Sequence, residues 1–137
     1  MKIMALDLGD QWTGTALTDA SRMFARPNQT IKTYELTSWL TSFFTLEKID
    51  TIIVGYPKTM RGTHSKQTET IIAMKEALEK TFPQQQWILW DERLTSKHAS
   101  TLHNSKNDKQ KIHSIAAALI LESYLMHLQM KSMLEQE

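Results

Sequence analysis

The chain has 137 residues, 41% hydrophobic and 23% charged, and no cysteine. That length holds one compact core and is short for two ordinary domains, so a single domain over 1–137 is expected. A formal net charge of +1 excludes a whole-molecule field as the means of attracting phosphate, and the lack of cysteine excludes disulfides and thiolate metal sites.

No apolar run approaches the roughly 18 residues of a membrane helix, and the first strand turns polar too soon for a signal peptide. A soluble, cytoplasmic chain with no membrane partner is expected. There is no internal repeat, low-complexity tract or linker.

Ile3 to Leu8 is short and apolar and runs into Gly9-Asp10, which reads as a buried strand entering a tight hairpin. Alternation puts Ile3, Ala5 and Asp7 on one face and Met4, Leu6 and Leu8 on the other. Asp7 is therefore a carboxylate at the end of a greasy strand, a costly position unless it is paired, hydrogen-bonded or bound to a cation. Trp12 to Thr18 is the return strand, with Gly14 marking a place where another group approaches the backbone. A third strand falls within Met23 to Thr33, and Pro27 makes it either an edge strand or a strand begun after the proline. Leu36, Leu40, Phe43 and Phe44 keep helical spacing from about Glu35 to Glu47.

Thr51 to Gly55 is a β-branched apolar run of the kind buried on both faces in a parallel sheet. A loop from Tyr56 to Thr63 follows, then a helical pattern from Ser65 to Phe82 that Pro83 stops. Trp87 to Trp90 is a further buried strand, ending in Asp91-Glu92. A helix is expected over Thr95 to Asn104, then a polar loop, then a last helix from about Ile112 to Met130 whose start is apolar nearly all round. Connections through helices make the later strands parallel. Ligand sites in such sheets lie beyond the carboxyl ends of the strands, where Asp7, the loop after Gly55 and Asp91-Glu92 converge.

Carboxylates without cysteine or a histidine pair favour Mg²⁺ or Mn²⁺, ions that activate water in phosphodiester cleavage. Taken singly, Asp7 also reads as a turn cap and Asp91-Glu92 as a helix start. The segments ALDLGDQWTGTALTD, VGYPKTMRGT, DERLTSKHA and SIAAALILESYL, in this order and spacing, resemble the YqgF/RuvX family from Lys2 to about Leu125. That resemblance implies an α/β, RNase H-like mixed sheet, a three-stranded meander plus parallel strands with flanking helices, related to RuvC-type Holliday junction resolvases. It implies a metal-dependent endonuclease, a phosphodiester hydrolase trimming the 5′ end of precursor 16S rRNA in ribosome biogenesis. The expected partners are that RNA and the small-subunit precursor, and the expected state is a monomer or weak homodimer.

Carried over, Asp7 resembles the first-strand metal ligand, and the second acid is Glu92 or its neighbour Asp91, with Glu92 favoured. The family opens its last helix with an aspartate where this chain has His113, giving Asp7, Glu92 and His113 as the metal set. Imidazole suits Mn²⁺ better than Mg²⁺, so a Mn²⁺ preference or weakened activity is expected; the bland role for His113 is to cap its helix. Asp108 is a conceivable substitute. The family's basic pair after the first aspartate is here Gln11-Trp12, and Trp12 reads as hairpin packing or a base-stacking ring. Lys58, Arg61, Gly62, Thr63, Arg93 and Lys97 are the expected substrate contacts, through phosphate neutralisation and close backbone approach; each cation also reads as solvated surface charge. The other readings are a catalytically weak or inactive RNA- or ribosome-binding module on the same fold, a Holliday junction resolvase, and a nucleotide-binding protein of the actin type, which the short chain disfavours.

Overall fold

Strand β1 (Lys2–Asp7) is apolar because both its faces are covered. Ile3 and Ala5 enter one core cluster and Met4 and Leu6 another, as the two-residue period of an extended chain requires. The computed structural model describes residues 1–56, 66–91 and 109–135. Among these, β1 is followed by β2 (Trp12–Thr18), β3 (Ala25–Lys32), a 3-10 turn (Thr33–Glu35), α1 (Leu36–Leu46), β4 (Ile49–Tyr56), α2 (Lys66–Thr81), β5 (Gln86–Asp91) and α3 (Lys109–Glu135). The helix expected over Thr95 to Asn104 lies outside the described residues.

The strands form one mixed sheet in the order β3-β2-β1-β4-β5. β1, β2 and β3 make an antiparallel meander, and β4 and β5 join it parallel to β1. β3 is the edge strand that Pro27 requires, since proline has no N–H to give to an inner ladder. Between Gly14 and Ala16 the β2–β3 register shifts, so Asn28 and Gln29 oppose Thr15 alone. The Thr15 hydroxyl fills the gap: it donates to the Gln29 carbonyl at 2.7 Å and accepts from the Gln29 N–H at 2.9 Å.

The β2–β3 hairpin closes on Asp19. Its carboxylate accepts the Ser21 hydroxyl at 2.7 Å and the N–H groups of Met23 and Phe24 at 3.1 and 3.3 Å. The Ser21 hydrogen bond, with smaller help from those backbone donors and against a desolvation effect, holds its pKa below the ordinary value of 3.8.

Two layers of helix cover the sheet. On one face Leu36 and Leu40 of α1 and Ile71 and Leu78 of α2 bury Met4, Leu6, Ile52, Val54 and Trp87. The aromatic stripe of α1 joins this layer at its margin, with Phe44 set edge-on to Phe82 at 5.1 Å. On the other face Ala117, Ala118, Ile120, Leu121 and Leu125 of α3 bury Ile3, Ala5, Ala16 and Ile53. The alanines on both sides of that interface let α3 lie close to the sheet. α3 begins at Lys109, earlier than its apolar pattern starts, and its last turns expose Met126, Met130 and Met133. Among the described residues no helix is long and apolar enough to cross a membrane.

Candidate active site

Asp7 is the last residue of β1, a central strand flanked by β2 and β4. Its parity is that of Ile3 and Ala5, so its carboxylate rises on the α3 side of the sheet. The chain then turns back sharply: a Cβ at Gly9 would stand 2.5 Å from the Trp12 carbonyl oxygen. The Thr33 hydroxyl fixes that turn from outside, donating to the Gly9 carbonyl at 2.7 Å and lying 3.0 Å from the Thr13 hydroxyl.

Gly14 sits opposite Asp7 in the β1–β2 ladder. Any Cβ on Gly14 would collide with the backbone of His113 and Ser114, so the approach expected at this glycine is made by the second turn of α3. That seat brings the His113 ring over the end of β1, with Nδ1 3.5 Å from Asp7 Oδ2. Both side chains are partly open to solvent, 34% for His113 and 22% for Asp7. The separation is too long for a strong hydrogen bond, yet two donors each about 2.1 Å from one cation stand only about 3 Å apart. A carboxylate oxygen and an imidazole nitrogen therefore stand, partly open to solvent, at a separation from which both could reach one divalent cation. Among the described residues no third His, Asp or Glu completes a group of three. His113 does not occupy the cap position of its helix, since α3 starts one turn before it.

The carboxyl ends of β1, β4 and β5 share one edge, as their parallel connections require. Leu6 is level with Val54, and Tyr56 is level with Asp91. Parity separates Asp91 from Asp7. Trp87 and Leu89 face the α1–α2 layer and Ile88 and Trp90 face α3, so Asp91 continues the first set. Glu92, Arg93, Lys97, Lys58, Arg61, Gly62, Thr63 and Asp108 lie outside the described residues.

Sequence reasoning missed one grouping. Asp10, Gln11, Trp12, Lys32 and Tyr34 line a cavity of about 290 Å³ beside the hairpin. No sequence signal announces it: it follows from the pairing of Trp12 with Lys32, whose register is set by the bulge at Thr15.

A family model described as "RuvX: Holliday junction resolvase" matches residues 1–127. The chain belongs to the RuvX family. Its relatives include a Rubrobacter xylanophilus protein named "Putative pre-16S rRNA nuclease", 34% identical over 127 residues and covering 90% of this chain and 91% of the relative. A Thermoanaerobacter pseudethanolicus protein of the same name is 36% identical over 137 residues, covering 91% of this chain and 96% of the relative. Among solved structures, RuvC of T. thermophilus in complex with a Holliday junction substrate aligns with a TM-score of 0.60 at 12% identity, covering 94% of this chain and 96% of that one. Fowlpox virus resolvase, in complex with Holliday junction DNA, aligns with a TM-score of 0.55 at 14% identity, covering 93% and 99%. At such identities these likenesses establish the fold alone, and it is the RNase H-like, RuvC-type fold expected for a RuvX chain.

Proposed function

We propose that this RuvX chain is a metal-dependent endonuclease that processes the 5′ end of pre-16S rRNA. The observation that carries the reading is the meeting of Asp7 and His113, 3.5 Å apart at the carboxyl end of a central strand, in a family whose relatives bear a pre-16S rRNA nuclease name. Asp7 and His113 would hold a divalent cation, with Glu92 as the third ligand. The parity of Asp91, set with Trp87 and Leu89 away from Asp7, supports Glu92 over Asp91 for that role. When bound, such an ion supplies an activated water and stabilises the departing oxygen. Asp7 would hold such an ion and balance part of its charge. His113, held by the seat at Gly14, fixes the second donor without the added negative charge of a carboxylate, which lowers repulsion toward an incoming phosphate. Lys58, Arg61, Gly62, Thr63, Arg93 and Lys97 are proposed to meet the RNA backbone. The substrate is the small-subunit precursor, the setting is the cytoplasm, and the chain acts as a monomer or weak homodimer.

The test is cleavage of a 5′-extended 16S rRNA precursor fragment by purified protein, with Mg²⁺ and Mn²⁺ in parallel and a four-way DNA junction as competing substrate. Metal-dependent RNA cleavage that Asp7→Asn and Glu92→Gln abolish supports the proposal. The family description and the two resolvase folds favour a second reading, junction cleavage; preference for the junction would establish it instead. RNA binding without cleavage in either ion would leave a binding module on a nuclease fold.

A further inference from the structure

Two residues before Gly14 on β2, with the same parity and so on the face that carries Asp7, stands Trp12. Lys32 is its cross-strand partner, and opposed residues of an antiparallel pair share a face. Tyr34 follows in the 3-10 turn, with the Lys32 ammonium 5.9 Å from its ring centre. These three side chains, with Asp10 and Gln11, line the cavity of about 290 Å³. Tyr34 is 78% exposed, Trp12 is half-buried, and among the described residues neither ring joins the two hydrophobic clusters. Among the described residues no carboxylate forms a salt bridge with Lys32.

We infer that this cavity is a nucleobase-stacking subsite for single-stranded RNA. Its position relative to the cut rests on the nuclease reading; the binding itself does not. Aromatic faces take any base, because every base presents a π surface, and a neighbouring cation neutralises the phosphate attached to it. Both groups are present here, on one face. Asp10 and Gln11 at the rim add acceptors and a donor for the edge of the seated base. Trp12 lies about 7 Å along β2 from Gly14, whose ladder partner across about 5 Å is Asp7, so the subsite lies close enough to Asp7 for base and reacting phosphate to belong to nearby nucleotides. A base inside a duplex has its faces already stacked, so the subsite selects unpaired strands.

The experiment uses the full chain carrying Asp7→Asn, so that RNA is bound and not cut. It is titrated into fluorescein-labelled oligo(A) RNA, an abasic oligomer of equal length and charge, and a short RNA duplex, each followed by anisotropy. Trp12→Ala and Tyr34→Ala are each expected to weaken oligo(A) binding by roughly 5- to 100-fold and to leave abasic binding unchanged, with Trp12→Phe recovering most of the loss. Lys32→Gln is expected to reduce the salt slope by about 0.7. Tyr34 is so exposed that its replacement leaves the fold intact, and it decides the matter if Trp12→Ala unfolds. Equal affinity for oligo(A) and the abasic oligomer overturns the inference. So do alanine variants that stay within about twofold of the parent, and a duplex bound as tightly with the same sensitivity to Trp12 and Tyr34. The nuclease reading fails separately: lack of cleavage by the unsubstituted chain, with the stacking signal intact, removes that reading and keeps the subsite.

Discussion

The backbone of His113 occupies the space that a side chain on Gly14 would need. Gly14 is also the ladder partner of Asp7, so one missing Cβ sets the distance between the two groups of the candidate metal site.

Gly14→Ala forces α3 off the sheet at its second turn. Overpacking of this kind costs about 1–3 kcal/mol, to be read as a lower urea midpoint. Because the displaced segment carries His113, activity should fall further than the loss of folded protein explains. Activity per folded molecule, corrected by the denaturation curve, separates the two effects.

Asp7→Asn keeps the shape of the side chain and removes its charge. The loss of several kcal/mol of electrostatic stabilisation corresponds to a fall in cleavage rate of about 10²–10³-fold or more, with thermal midpoint and circular dichroism unchanged. An unaltered rate would remove Asp7 from the chemistry.

His113 makes a prediction about metal choice. His113→Asp supplies a hard oxygen and shifts the ratio of Mn²⁺- to Mg²⁺-supported cleavage toward Mg²⁺, whereas His113→Ala lowers both. If the ratio is the same in all three proteins, the imidazole is not a ligand.

The Asp19 turn gives a pH dependence with a definite sign. Its folded pKa lies below the ordinary 3.8, so its contribution is present above that value and is lost as pH falls through the folded value. Ser21→Ala removes the first cause of the shift. Urea midpoints of the parent and Ser21→Ala should therefore differ at neutral pH and converge in strong acid.

Much of the site is legible in the sequence where strand period alone decides it. The face of Asp7 follows from Ile3 and Ala5, while Pro27 leaves β3 either at an edge or begun after the proline, and the structure places it at the edge with Pro27 inside it. Gly14 announces a close approach, but a glycine does not name the group that approaches. That group comes from α3, whose polar first residues hide its start because they add nothing to the apolar pattern beginning near Ile112. The pairing of Trp12 with Lys32 is invisible for a different reason. It requires the register of β3, and that register is reset at Thr15, where two residues face one and the Thr15 hydroxyl completes the ladder. The choice between Asp91 and Glu92 turns on a single step of parity, which Trp87 and Leu89 reveal once the layer they pack against is known.

The candidate centre joins the first strand to the last helix. During synthesis Asp7 leaves the ribosome long before His113, at a pace of about 5–20 residues per second, and waits without its partner. Translation products that stop short of α3 have the leading carboxylate but not the assembled pair. Packing of α3 onto the sheet at Gly14 is thus the step that brings the two side chains together, so their meeting reports the docking of this helix.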